Sequence, residues 1–331
     1  MIEFHFLGTA AGVPTPKRNV TALGIRFPQQ RNWVLIDCGE GTQHQLMQSE
    51  LTLSRLNTIF LTHLHGDHCY GLPGILASRS LQGSGGEQTL TVIGPPGTKR
   101  LVETIIELTE LNLSYPLQLI EFSTENWQRQ HWDFSGFSVK PVELSHSIPS
   151  FAYRFTEAPR PGRFDVAKAK ADGIPPGPIY QQLQQGKTVT LDDGRQVSGN
   201  HYIAAPPKPR QFVIGGDNDK PECLKTSLID CDLLVHEATM TEEMRAAIQG
   251  HVSHSTASGI AQIAEKARLP NLVLTHFSAR FMDQPHALQR VVDEARQYFS
   301  GQLFLANDFV QLHLDREGKL TQHLPSYTAH K

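Results

Sequence analysis

Cysteine is scarce in this chain. Its four thiols, Cys38, Cys69, Cys223 and Cys231, are scattered among 331 residues in none of the paired spacings of a zinc ribbon. That pattern excludes a disulfide framework of the small secreted kind. The N-terminus, Met1-Ile-Glu-Phe-His-Phe, carries neither a basic stretch nor a cleavage signal, so a reducing, cytoplasmic setting is expected. Cys69, although next to His68, is expected to pack as a small apolar residue. Long apolar runs are missing as well. None approaches the roughly 20 residues that cross a bilayer, so no membrane association is expected. A basic excess is also absent: 30 Lys and Arg against 33 Asp and Glu leave a net charge of −3. This excludes attraction of nucleic acid by the molecule as a whole, but not by a local concentration of positive charge. With 39% hydrophobic and 19% charged residues, the chain suits one large globular domain or two smaller ones.

Histidine, by contrast, is plentiful, at 16 residues. Three of them share the segment Thr62-His63-Leu64-His65-Gly66-Asp67-His68 with an aspartate. At this histidine content H-x-H-x-D-H arises by accident in on the order of a few chains per thousand, so the cluster reads as a metal site. It follows Leu56 to Leu61, an apolar run that reads as a buried strand. Strand ends opening into short loops are where α/β proteins display reactive groups. Imidazole nitrogen and carboxylate oxygen both suit zinc. Four such groups are too many for one catalytic ion with an open position, so the segment points to two metals sharing a site.

Around this segment, strand-like and helix-like stretches alternate. Strands are predicted over 2–7, 22–27, 33–36, 90–93, 117–121, 137–144, 151–155, 212–215, 233–236 and 272–275, and near Leu303 and Val310. Helices are predicted over 41–48, 71–81, 98–111, 255–267 and 285–298, with an exposed turn at 83–86. Residues 156–207 break the order with Pro159-Arg-Pro-Gly162, Gly173-Ile-Pro-Pro-Gly-Pro178 and Ala205-Pro-Pro-Lys-Pro209. Short helices fit at 165–171 and 179–184, and the apolar residues look too few for a core. An insertion within a single domain, 1–331, is therefore expected. Its six Lys and Arg nearly balance five Asp and Glu, so a grip on phosphate there must come from arrangement.

Three more residues stand just after predicted strands and can face the same side: His146, Asp217 (behind the pair Gly215-Gly216) and His276. With residues 63–68 they complete a two-metal arrangement with one shared ligand. Asp37, also behind a strand, reads either as orienting a ligand imidazole or as capping a turn.

His63-x-His65-x-Asp67-His68, with His146, Asp217 and His276, resembles the ligand signature of the metallo-β-lactamase superfamily. Six further segments resemble, in family order, the loops of the ribonuclease Z family in its short bacterial form. They are Phe6-Leu-Gly-Thr-Ala-Ala-Gly-Val-Pro-Thr-Pro-Lys-Arg-Asn19, Asp37-Cys-Gly-Glu-Gly-Thr-Gln43, His236-Glu-Ala-Thr239, His254-Ser-Thr256, Thr275-His-Phe-Ser-Ala-Arg280 and Ala306-Asn-Asp308-Phe. The Gly- and Pro-rich insertion is similar to that family's tRNA-gripping arm. Minor departures fall at Gly216, Asn218 and Phe277, beside two of the ligands.

The resemblance implies an α/β fold, a four-layer αββα sandwich with a protruding arm, or exosite. It implies one zinc on His63, His65 and His146, a second on Asp67, His68 and His276, and Asp217 bridging; manganese or cobalt could take the same set. A water between two zincs loses its proton near neutral pH and can attack phosphorus, with Asp67 as base. His254, oriented and made more basic by Glu237, would protonate the leaving 3′ oxygen. Asp37 and His236 would support the ligands from behind. Arg18, Asn19, Ser278 and Arg280, with Gly177 and Pro178 of the arm, would hold substrate. The implied partner is precursor tRNA rather than DNA, cut to leave a 3′-hydroxyl on the tRNA and a 5′-phosphate on the trailer. Exonuclease action also occurs in the bacterial family, and the implied assembly is a homodimer. The competing expectations are a hydrolase of a small ester, thioester or lactam, and an inactive RNA- or metal-binding module. The arm and the His254–Glu237 pair weigh against the first, and the complete ligand set weighs against the second.

Overall fold

The computed structural model describes residues 1–82, 86, 88–134, 136–250, 253–281 and 286–323. Its contacts divide the chain into two compact units, 1–134 with 138–155 and 211–331, and 135–137 with 156–210.

In the first unit two large sheets lie between helices. One runs in the order Leu320–His323, Gln311–Leu314, Ile2–Gly8, Ala22–Arg26, Trp33–Ile36, Leu56–Phe60, Leu90–Gly94, Leu117–Glu121. Its first five strands pair antiparallel, and from Trp33–Ile36 onward the pairing is parallel. The other runs Gln302–Leu305, Asn271–Thr275, Leu233–Glu237, Gln211–Ile214, Ser150–Glu157, Phe137–Leu144, Trp132–Phe134, and its first four strands are parallel. The central parallel strands are mostly apolar, as expected of strands covered on both faces. Leu233, Leu234 and Val235 are all buried, for example.

Aromatic side chains join the sheets face to face. Phe60 meets Tyr153 at 4.8 Å between ring centroids and Phe155 at 5.8 Å, and Phe4 meets Phe212 edge-on at 5.1 Å. Helix Leu72–Leu81 buries Leu72, Ile75 and Leu76 in the apolar cluster of the first sheet. Helices Ala257–Lys266 and Ala287–Arg296 bury Ile260, Ile263 and Val291 in that of the second. The result is the expected helix–sheet–sheet–helix layering.

Several boundaries differ from expectation. The helix expected over 98–111 ends at Leu108, because the backbone turns left-handed at Glu110, with φ 49°. The strand expected near Val310 is Gln311–Leu314. Strand Trp132–Phe134 is too short, and Leu320–His323 too polar, to be seen in sequence. The helix expected from Pro285 is described as Ala287–Arg296. Pro285, residues 83–85 of the expected turn, and the segment 324–331 of the expected single domain lie outside the described residues.

The second unit corrects one expectation. The insertion has a core of its own: Phe164, Ala169, Ile174, Leu183, Val189, Leu191 and Tyr202 are buried together. Helices Val166–Ala171 and Pro178–Gln184 and strand Thr188–Thr190 supply Ala169, Leu183 and Val189, Val197 of the antiparallel strand Gln196–Ser198 packs against them, and the intervening segments supply the rest. Asp165 caps the first of these helices, its side chain accepting from the Lys168 amide at 2.9 Å. Composition hid this core because its few apolar residues are spread thinly between exposed ones.

Phe155 is buried, stacks on Phe212 at 4.7 Å and meets Phe60 from the opposite sheet. Phe155→Ala should cost about 3–5 kcal/mol of stability in urea unfolding; a loss under about 1 kcal/mol would mean this aromatic seam does not hold the sheets together.

Candidate metal centre

Every sequence-predicted ligand lies in the first unit, at or just beyond the C-terminal end of a strand. His63 and His65 follow Leu56–Phe60, and Asp67 and His68 lie in the single helical turn Gly66–Cys69. His146 follows Phe137–Leu144, Asp217 follows Gln211–Ile214, and His276 follows Asn271–Thr275. Strands Leu56–Phe60, Gln211–Ile214 and Asn271–Thr275 pair in parallel within their sheets, and their three loops converge with the loop after Phe137–Leu144. Glycine permits the closest approach. A β-carbon on Gly216 would stand 2.6 Å from the Thr62 β-carbon and 2.9 Å from the Phe151 carbonyl oxygen.

Three overlapping groups of ligand atoms form: His63, His65, His146 and Asp217; Asp67, His68 and His276; and Asp217, His254 and His276, the ligand atoms of each within 4.8 Å of one another. Asp217 stands between the first two. Its Oδ1 lies 3.3 Å from His68 Nε2 and 3.4 Å from His276 Nε2. Its Oδ2 lies 3.6 Å from His63 Nε2 and 3.8 Å from His146 Nε2. Asp67 Oδ2 lies 3.3 Å from His276 Nε2 and accepts from the Gly12 amide at 2.7 Å.

The outer hydrogen bonds fix which ring nitrogens face inward. Asp37, buried and left-handed at φ 58°, accepts from the Thr62 amide, the Thr62 hydroxyl and His68 Nδ1–H, each at 2.7 Å. The Thr62 hydroxyl, its proton given to Asp37, accepts from His63 Nδ1–H at 3.0 Å. His146 Nδ1–H donates to the Ser253 carbonyl at 2.8 Å. Thr239 Oγ1 donates to Glu237 at 2.5 Å and accepts from His276 Nδ1–H at 2.9 Å. Four imidazoles are thereby locked as Nδ1–H tautomers, with the Nε2 lone pair turned into the cluster. His65 presents Nδ1, 3.1 Å from His146 Nε2. His63 Nε2 is buried with no hydrogen-bond partner. Such an orphaned lone pair is costly unless something electrophilic takes it, so the residues fit a divalent metal.

Electrostatics agree. Burial opposes charge on Asp217, yet His276, His68 and His63 hold it well below the usual carboxylate range. Burial pushes His68 down, but Asp217 and Asp37 reverse this and raise it well above its ordinary value. His63 is pushed down by burial and by His68. The carboxylates thus draw positive charge into a place too dry to solvate it, and a coordinated cation supplies that charge.

His254 and Glu237 meet as expected: His254 Nδ1 lies 3.2 and 3.1 Å from the two Glu237 oxygens. Burial pulls the His254 imidazolium down, but Glu237, with help from Asp217, carries it up to about 9. Glu237 is itself fixed by the Asn218 amide at 2.6 Å and by Thr239. His236 is fully buried behind the site, donating from Nδ1 to the Glu237 carbonyl and accepting from the Asn218 side chain. It touches none of the ligand atoms named above.

Arg18 is 6% exposed, donates from Nη1 to Thr9 Oγ1 at 2.6 Å and the Ala306 carbonyl at 2.8 Å, and lies over the Phe277 ring. These contacts tie the loops carrying Thr9 and Ala306 together. Asn19 gives its side-chain amide to the Glu40 carbonyl and its backbone amide to Asp308. Ser278 is half-buried; Arg280, Gly177 and Pro178 are exposed. Sequence reasoning missed the roles of Thr62, Thr239, Asn218 and Asp308. Three of these stand inside or beside quoted motifs, but their hydrogen bonds appear only once the chain is folded.

Residues 32–164 match the family model described as a beta-lactamase superfamily domain. The chain is 42% identical to a ribonuclease Z of Marinobacter nauticus, over 96% of this chain and 98% of that protein. It is 41% identical to a ribonuclease Z of Bacillus subtilis, over 95% and 100%. Among solved structures it resembles the short form of human tRNase Z, with a TM-score of 0.64 and 28% identity over 95% of this chain and 99% of that one. Asp37→Asn should lower metal affinity about 10–100-fold in competition with a chromophoric chelator; an unchanged affinity would remove Asp37 from the support of the site.

Proposed function

Because the chain belongs to the ribonuclease Z family, we propose that it is a metal-dependent endoribonuclease that removes the 3′ trailer of precursor tRNA. The observation that carries this reading is a pair of ligand groups with Asp217 between them, and His254 and Glu237 set beside it. Two zinc ions suit the five imidazoles and two carboxylates, and manganese or cobalt could occupy the same atoms. Bound there, zinc would supply an acidified water as nucleophile and positive charge against the phosphate oxygens.

The chain's own residues do the rest. Asp67, steadied by the Gly12 amide, is placed to take the nucleophile's proton. Glu237 holds His254 by Nδ1 and keeps it protonated. The other ring nitrogen, Nε2, then remains to give a proton to the departing 3′ oxygen. Cleavage of this kind leaves a 3′-hydroxyl on the tRNA and a 5′-phosphate on the trailer. The insertion, with Gly177 and Pro178 exposed, would grip tRNA, and Arg280 would meet phosphate nearer the scissile bond. A homodimer in the cytoplasm completes the reading; no helix among the described residues is long and apolar enough to cross a membrane.

Purified protein loaded with zinc should cut a 3′-extended tRNA, and Asp67→Ala should abolish cutting. His254→Ala should lower kcat about 10²–10⁴-fold with little change in KM. Hydrolysis of small esters without RNA cleavage would refute the assignment. Deleting residues 160–205 should weaken tRNA processing far more than hydrolysis of bis(p-nitrophenyl) phosphate; equal loss on both substrates would remove the insertion from tRNA binding.

A further inference from the structure

Beyond Glu237 and His254, the two segments that carry them run side by side. Glu237 ends strand Leu233–Glu237, and Glu242 soon opens helix Glu242–Ala247. Just after His254, Thr256 caps helix Ala257–Lys266. The segments bond at successive levels. His254 Nδ1 meets the Glu237 carboxylate at 3.1 Å. Met240 and Thr256 pair in parallel, and the Ala257 amide donates to the Met240 carbonyl at 3.1 Å. At the far end Glu242 Oε1 accepts from the Thr256 hydroxyl at 2.6 Å and from the Ser258 hydroxyl at 2.9 Å. The His254–Glu237 pair is thus the first rung of a short ladder, and Glu242 is the last.

A third helix locks that end. Glu294, on Ala287–Arg296, accepts from the Glu242 amide with Oε2 and from the Ser258 amide with Oε1, each at 2.9 Å. One carboxylate thereby joins the first turns of two helices. Helix capping alone does not call for this. Thr241 already caps the first helix through the Met244 amide, and Thr256 the second through the Gly259 amide. What the two glutamates add is a cross-link that fixes Thr256 relative to Glu242.

Neither glutamate belongs to a ligand group; Glu242 is exposed and Glu294 half-buried. Their route to the chemistry is the chain itself. Ser255, between Thr256 and His254, gives its hydroxyl to the Asn218 carbonyl, so little slack separates the cross-link from the imidazole. Glu237 holds that ring at Nδ1 alone, and the backbone behind it decides where Nε2 aims. A general acid acts only within hydrogen-bond reach of the atom it protonates, and a shift of about 1 Å can cost on the order of 10²-fold.

We propose that Glu242 and Glu294 are positioning residues for proton donation, their cross-link through Thr256 and Ser258 setting where His254 Nε2 points. This rests on the reading of His254 as donor to the leaving 3′ oxygen. The loss on opening the cross-link then depends on the leaving group. A nucleotide 3′ oxygen needs a proton to depart, whereas p-nitrophenolate is stable as an anion and needs none.

The test compares wild type, Glu242→Ala, Glu242→Gln, Glu294→Gln and His254→Ala as zinc-loaded full chains, on 3′-extended tRNA and on bis(p-nitrophenyl) phosphate. Glu242→Ala and Glu294→Gln should each lower kcat on the tRNA about tenfold. Their KM for tRNA and their kcat/KM on the small phosphodiester should stay within about twofold of wild type. Glu242→Gln should keep about half or more of the wild-type kcat, because both hydroxyls reach one oxygen that glutamine retains. At position 294 both oxygens are in use, and a glutamine amide would face a backbone N–H. An unchanged tRNA kcat in either Glu242→Ala or Glu294→Gln overturns the proposal, as does a rise in KM in place of the fall in kcat. So does equal loss on the two substrates, which would mean damage to the fold or to the metal centre. Glu242→Gln as impaired as Glu242→Ala also overturns it, since charge rather than hydrogen bonding would then be the cause. His254→Ala separates the two readings: it should lose far more on tRNA than on the small phosphodiester. If it does while the glutamate variants do not, the cross-link alone fails; if it loses equally on both, the donor reading fails and the proposal with it.

Discussion

Asp217 is the carboxylate on which the metal centre turns. One oxygen faces His68 and His276, the other His63 and His146. Two of these imidazoles reach it from the second sheet, like Asp217 itself, and two from the first. The site therefore exists only when the two sheets are packed together. Burying five imidazoles and two carboxylates costs free energy that the apolar and aromatic interior must offset, and bound metal would return part of it. Gly216, where even a β-carbon would collide with Thr62 and Phe151, shows how tightly this approach is set.

Around Asp217 the supporting bonds are as ordered as the ligands. Asp37 and Thr239 each bind more than one functional side chain, and Asn218 links Asp217's loop to Glu237. The imidazoles arrive with tautomers already chosen, so metal binding need not reorder them. The same economy places His254: Glu237 serves it directly and is fixed from behind by Asn218 and Thr239.

Much of this was legible in the sequence, for a physical reason. His63 to His68 is local, six residues on one loop, and the other ligands follow apolar strands whose direction sequence reveals. The burial of Arg18 was not legible, because burial is not written in a residue's neighbours. The core of the insertion escaped because Phe164 and Tyr202, which share it, are far apart in the chain. Asp37 looked equally like a turn cap, and only its three donors, two of them on Thr62, decide the matter. Strand Leu320–His323 exists because Gln311–Leu314 offers it an open edge, which its own sequence does not announce.

The bonds around Asp37 carry one more consequence. Its carboxylate holds His68 directly and His63 through the Thr62 hydroxyl. Those two imidazoles belong to different ligand groups. Both rings therefore hang from one carboxylate, and the orientation of each is set together with that of the other.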